Sequence, residues 1–154
     1  MREHSRPLAN VVKDYLDSQN WRYQFEAEDG KFLFGLNIDS RIQTVNFVIY
    51  VTNHGFTVYG YPTLKADTET MTRVAEYLIM ANYGLPYGNF ELDFTDGEVR
   101  FKSSLYCGST LPPLDIVEFV VDAPARLWST YGNGLAAVIM AGADPREEIN
   151  KAEG

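Results

Sequence analysis

The sequence predicts an α+β two-layer sandwich, a mainly antiparallel sheet with helices laid against it, and three observations carry that prediction. Segments with a two-residue apolar period cluster in hairpins around Asp-Gly pairs. Segments with a helical period stand before, between and after them. Strands and helices do not alternate one by one, as a parallel nucleotide-binding sheet requires. The order read along the chain is α-β-β-β-β-α-β-β-α-α.

Leu8, Val11, Val12, Tyr15 and Leu16 form the i, i+3, i+4, i+7, i+8 stripe of a helix burying one face, with Pro7 at its start. After Ser18-Gln19-Asn20 the period becomes two, and Trp21, Tyr23, Phe25 and Ala27 alternate with Arg22, Gln24, Glu26 and Glu28. Asp29-Gly30 reads as a two-residue type I′ turn into Phe32, Phe34, Leu36 and Ile38. Such a loop sets Ala27 opposite Phe32, Phe25 opposite Phe34, Tyr23 opposite Leu36 and Trp21 opposite Ile38. A third strand, Gln43 to Thr52, is apolar on both parities, as a strand covered on both faces would be. Asn53-His54-Gly55 turns into a fourth strand, Phe56 to Tyr61, which stops at Pro62.

Asp67 or Thr68 opens a second helix with Glu69 in its first turn, a buried stripe of Met71, Val74, Ala75, Leu78 and Ile79, and a stop at Gly84. Phe90, Leu92 and Phe94 alternate ahead of Asp96-Gly97, and Val99 and Phe101 continue after it. A two-residue turn there pairs Phe94 with Val99 and Leu92 with Phe101, and sets Asp93 against Arg100 and Glu91 against Lys102 on the other face. Pro112-Pro113 marks the start of a helical third with a stripe of Ile116, Phe119, Val120, Ala123 and Leu127, which Pro124 should kink or divide. Asp144-Pro145-Arg146-Glu147 opens a last helix with a capping aspartate, a proline and an acid.

Composition bounds the function. The 154 residues fit one domain of typical size, about 100–200 residues, spanning 1–154 with a core from about 8 to 151. Aromatic residues make up 14% of the chain, which suits a half-buried sheet. The net charge of −8 gives no global attraction to phosphate backbones or anionic lipid, so no nucleic-acid partner is expected. Apolar runs such as Leu135 to Ala141 fall short of the ~20 residues needed to cross a bilayer. The opening residues up to Arg6 lead into no signal-like apolar core, so a cytoplasmic protein with no membrane partner is expected. The single cysteine, Cys107, has no intramolecular partner, in keeping with a reducing compartment.

The residues that could carry chemistry have better structural readings. Gly132-Asn133-Gly134-Leu135-Ala136-Ala137 has the spacing of a dinucleotide fingerprint, but a helical segment rather than a strand precedes it, and a helix-to-helix turn is expected. Glu91, Asp93, Asp96 and Glu98 gather around one turn without the spacing of a calcium loop, as a solvated hairpin face does. His54 falls in a turn, His4 near the terminus, and nothing basic adjoins Cys107 to lower its pKa. No nucleophile, base and orienting group converge, so no catalytic residue, metal site or cofactor is expected. The two-faced third strand and the tyrosines of the fourth point elsewhere. A sheet face that stays apolar after helices cover the other needs a second cover, either the C-terminal helices or a partner. The residues expected to contact such a partner are Phe47, Ile49, Tyr50, Tyr59 and Tyr61.

Several segments together resemble a known family: Tyr77-Leu78 to Asn82-Tyr83-Gly84, the strand Gly88-Asn89-Phe90-Glu91-Leu92-Asp93 with Asp96-Gly97-Glu98-Val99-Arg100, and Gly142-Ala143-Asp144-Pro145-Arg146-Glu147-Glu148. The set resembles the YbjN-domain family of bacterial proteins, described as candidate sensory transduction regulators with a fold similar to type III secretion chaperones. The resemblance covers roughly Leu8 to Lys151. It implies a commonly self-associating domain of that chaperone-like fold, without an established catalytic site or cofactor. Together with the residues, it leads to the expectation of a non-catalytic, chaperone-like or regulatory binding domain, a homodimer that recognises a polypeptide through an apolar face. The acidic remainder would keep the protein soluble and favour basic partners. The alternative is a small-molecule sensor with a pocket between sheet and helices.

Overall fold

The computed structural model describes residues 2–154 and has the expected element order. The elements are α1 (Arg6–Ser18), β1 (Gln24–Glu26), β2 (Lys31–Asn37), β3 (Thr44–Val51), β4 (Gly55–Pro62), α2 (Met71–Tyr83), β5 (Asn89–Leu92), β6 (Val99–Tyr106), α3 (Leu114–Ala141) and α4 (Pro145–Glu153). The strands form one six-stranded antiparallel sheet in the order β1-β2-β3-β4-β6-β5, an α+β sandwich with its helices on one face.

Register decides which side chains meet the helices. Phe32 pairs with Ile49, Ile49 with Val58 and Val58 with Ser103; Phe34 pairs with Phe47, Phe47 with Gly60 and Gly60 with Phe101. All of them are buried, beneath Leu8, Val12, Tyr15 and Leu16 of α1, Val74, Tyr77 and Leu78 of α2, and Val117, Val121, Trp128 and Leu135 of α3. The Trp128 indole is fully buried and donates to the Gly60 carbonyl at 3.0 Å, so its polar edge is satisfied. Ser5 caps α1 by accepting from the Leu8 amide at 3.2 Å, and Asp144 caps α4 by accepting from Glu147 at 3.1 Å.

Both hairpins differ from the two-residue reading in the same way. In the first, Phe25 pairs with Phe32 and Glu26 with Lys31, so the loop is Ala27 to Gly30 and each partner shifts by two. The parity of the strand survives, because a shift of two preserves the face. A type I′ turn requires positive φ at both central residues. Here Gly30 has it and Asp29 does not, while the Asp29 amide closes a turn onto the Glu26 carbonyl at 3.2 Å. In the second hairpin Leu92 pairs with Val99 and Phe90 with Phe101, so Glu91 rather than Asp93 stands opposite Arg100. The Asp93 backbone bonds Glu98 at 2.9 Å, and Phe94 lies exposed in the loop.

The helices differ more. Pro124 neither divides nor ends α3, which runs unbroken from Leu114 to Ala141. The proline is buried where α3 crosses β4, against Gly60, where a Cβ would press into the Pro124 ring. Packing on both sides of it, through Val121 and Trp128, overrides a local helix penalty of ~3 kcal/mol. Gly132 and Gly134 are likewise helical, not a turn; they let Ile42 and the Tyr77 ring approach the helix where a side chain would collide. In α2, Val74, Tyr77, Leu78 and Ala81 are buried while Ile79 is exposed, and the helix starts at Met71 after an Asp67–Thr70 turn. At the start of α3, Ile116 and Phe119, expected in the buried stripe, are exposed, and Val117 and Val121 are buried instead.

Candidate functional site

The helices leave the opposite face of the sheet uncovered, and the residues there are fixed by the same register. Leu33 pairs with Val48, Val48 with Tyr59 and Tyr59 with Lys102; Lys31 pairs with Tyr50; Asn46 pairs with Tyr61. Leu33, Val48, Tyr50, Tyr59 and Tyr61 are all half-buried, shielded by one another. Tyr50 and Tyr59 meet edge-on with centroids 6.1 Å apart, and Tyr59 and Tyr61 stand 6.2 Å apart, so three rings make a continuous aromatic strip.

Cations frame this strip. The Arg100 guanidinium lies 4.0 Å from the Tyr59 ring centre and Arg2 lies 4.6 Å from that of Tyr50, both within cation–π range. Glu91 holds Arg100 in place, accepting from its Nε at 2.7 Å, and pairs with Lys102 at 2.9 Å. Arg100 Nη1 also donates to the Tyr61 hydroxyl at 3.2 Å. Burial pushes the Tyr61 phenol above its ordinary value, and Arg100 opposes that rise without cancelling it. For Glu91 burial acts upward too, but the hydrogen bonds from Lys102 and Arg100 outweigh it and hold the carboxyl below the usual range. The face thus sets Arg2, Lys31, Arg100 and Lys102 among the acids Glu26, Glu91 and Glu98, with Asp29 beside Arg2, on a chain whose net charge is −8.

Of the five residues expected at a contact surface, Tyr50, Tyr59 and Tyr61 share the uncovered face, while Phe47 and Ile49 do not. Phe47 and Ile49 are 1% and 0% exposed, in the core under the helices, because β3 alternates and their parity is the helix-facing one. Val48 and Leu33 take their place. The signal for them was present in the alternation, since Leu33 stands out of phase with Phe32 and Phe34, and Val48 out of phase with Phe47 and Ile49.

A second apolar surface lies at the other end of the sheet, beside β6. A groove of about 540 Å³ is lined by Tyr87, Leu105, Ile116, Phe119 and Val120, among others. Tyr87 meets Phe119 edge-on at 5.4 Å, and the Arg126 guanidinium sits 4.7 Å from the same ring, so Phe119 is held although it is 45% exposed.

Of the ionisable candidates, His54 and Cys107 are brought together at one small pocket, so Cys107 has the basic neighbour that the sequence did not show. His54 Nδ1 lies 3.4 Å from the Gly108 carbonyl and His4 Nδ1 3.2 Å from that of Arg2, while the Cys107 thiol donates to the His54 carbonyl. Among the described residues no cluster of three His, Cys, Asp or Glu side chains is placed to hold a metal ion, and no helix is long and apolar enough to cross a membrane. No protein-family model and no curated protein matches the chain.

Proposed function

We propose that the protein is a non-catalytic binding domain, chaperone-like or regulatory, that engages a polypeptide through the uncovered sheet face. The occupant is a partner protein or a second copy of the chain. The observation that carries this reading is the strip of Tyr50, Tyr59 and Tyr61 with Leu33 and Val48 on the face that no helix covers. Tyrosines framed by arginines are what interfaces enrich at their energetic centres. The resemblance to the YbjN-domain family, with its self-associating, chaperone-like domain, supports the same reading, and the setting proposed with it is the cytoplasm.

The test is solution mass by light scattering across a concentration series, with the Tyr59→Ser/Tyr61→Ser variant alongside and pull-downs from both. A dimer that shifts toward monomer in the variant, or a captured partner that the variant loses, supports the proposal. A variant that keeps the wild-type mass and all partners defeats it.

The groove beside β6 is the feature that favours the alternative, a small-molecule sensor. It lies open to solvent past Tyr87, which is 67% exposed, whereas small-molecule sites bury about 70–90% of their ligand. The sensor reading is therefore the weaker.

A further inference from the structure

We infer that the groove beside β6 is a docking site for an extended polypeptide segment of another protein, which adds to the sheet as a strand next to Ser103–Tyr106. The segment would carry apolar side chains at alternate positions. This site is separate from the tyrosine face and does not depend on it.

The first observation is an unpaired backbone edge. Strand β5 pairs with β6 only from Leu92 opposite Val99 to Asn89 opposite Lys102, whereas β4 pairs with β6 as far as Tyr106. Gly88, at φ 75°, then turns the chain away from the sheet. Alternation fixes where the backbone groups of the unpaired stretch point. The Gly55 carbonyl accepts from the Thr52 amide at 2.8 Å, on the β3 side, so the next residue, Phe56, directs its amide and carbonyl toward β6. Its partner Leu105 faces β4 in return, and the residues on either side, Ser104 and Tyr106, direct theirs to the outer edge. Both are exposed, and no residue of the described chain pairs with them there. Such an edge is a template for another extended backbone.

The second observation is the groove itself. A strand laid along that edge would direct every second side chain toward α3, where Ile116, Phe119 and Val120 form an apolar floor. Ile116 and Phe119 fall on the apolar period of α3, and the fold leaves them 40% and 45% exposed. Backbone pairing with alternate side-chain pockets is the chemistry of strand addition.

The third observation selects the occupant. The chain's own outer edges are poor donors for this slot: β1 has three residues, the free stretch of β6 presents the polar groups of Ser104 and Tyr106 alone, and on β5 the Asn82 carboxamide occupies both polar groups of Phe90, accepting from its amide at 2.6 Å and donating to its carbonyl at 3.0 Å. A second folded copy therefore has no long, free edge strand to insert between Tyr87 and α3. An extended segment from another protein does not need one.

The experiment uses the full chain and a random twelve-residue peptide library displayed on phage. Selected peptides, synthesised with a fluorophore, are titrated by anisotropy against the wild type, Phe119→Asp and Tyr59→Ser/Tyr61→Ser. The expected result is enrichment of alternating apolar residues, at least tenfold weaker binding to Phe119→Asp with an unchanged circular dichroism spectrum, and unchanged binding to the tyrosine variant. The protein is left unaltered in the second arm, in which the peptide is N-methylated at alternate residues. One register should lose binding at least tenfold and the other should keep it within about twofold, while exchange of the Ser104 and Tyr106 amides slows. An absence of selected peptides overturns the inference, as does binding indifferent to Phe119→Asp or to the register of methylation. Peptides lost only with the tyrosine variant overturn it too and support the sheet-face proposal. A metabolite that blocks the groove without slowing those two amides assigns it to a sensor instead.

Discussion

Replacing Glu91 by Gln tests whether the cationic frame of the uncovered face is held by charge. Glu91 accepts from Arg100 at 2.7 Å and from Lys102 at 2.9 Å, and its side chain is 29% exposed. Buried hydrogen bonds to charged groups are worth about 1.5–3 kcal/mol each, and fully exposed ion pairs about 0–1 kcal/mol. At this intermediate exposure the pair of contacts should contribute about 1–2 kcal/mol in total. For a chain of this size that is a fall in Tm of about 2–8 °C. The pH dependence follows from the direction of the shift. The folded carboxyl titrates below its unfolded value, so its contribution is complete above the unfolded pKa of about 4.3 and is lost as pH falls through the lower, folded value. Urea denaturation of wild type and Glu91→Gln should show the full gap at pH 7 and a closing gap as pH falls from about 4.3. A gap that is unchanged in acid, or absent at pH 7, would refute the view that charge rather than shape fixes Arg100 over Tyr59.

Two further substitutions probe how the helices are tied to the sheet and to each other. Tyr15→Phe removes a 2.7 Å hydrogen bond from α1 to the Asp122 carboxylate on α3. Because Asp122 keeps some water, the loss should be near the lower end of the charged range, about 1.5–2 kcal/mol by urea denaturation. Additivity of Tyr15→Phe with Asp122→Asn would show that the two side chains are not coupled. Gly134→Ala should destabilise by up to about 2 kcal/mol, since an overpacking cost of about 1–3 kcal/mol against the Tyr77 ring is set against a gain in helix propensity of about 1 kcal/mol. A raised Tm in that variant would mean that α2 and α3 do not need the glycine to meet.

Element order was legible because it rests on periodicity, which is local. The stripe from Leu8 to Leu16, the alternation from Phe56 to Tyr61 and the Asp144-Pro145 cap all appear where the pattern places them. What failed depends on contacts between distant segments. The Asp-Gly pairs mark turns correctly, but loop length depends on whether the aspartate takes positive φ, and residue type alone does not decide that. Pro124 and the glycines of Gly132-Asn133-Gly134 read as breaks because their local preference is against helix. The partners that overrule them, Gly60, Ile42 and Tyr77, lie more than 50 residues away in sequence.

The site was half legible, for a reason that lies in β3. When both parities of a strand are apolar, alternation cannot say which faces the helices, and Phe47, Ile49 and Tyr50 become indistinguishable as surface residues. The neighbouring strand resolves it. On β4 the parities differ in kind: Phe56, Val58 and Gly60 have no polar atom in their side chains, whereas Tyr59 and Tyr61 each carry a hydroxyl that must reach water or a partner. Tyr61 meets Arg100, and Gly60 accepts the pressure of Pro124, so the helix-facing parity of β4 is that of Phe56. The turn between the strands sets Val51 opposite Phe56, and directly paired residues share a face. Phe47 and Ile49 follow Val51 inward, and Val48 and Tyr50 must then follow Tyr59 outward.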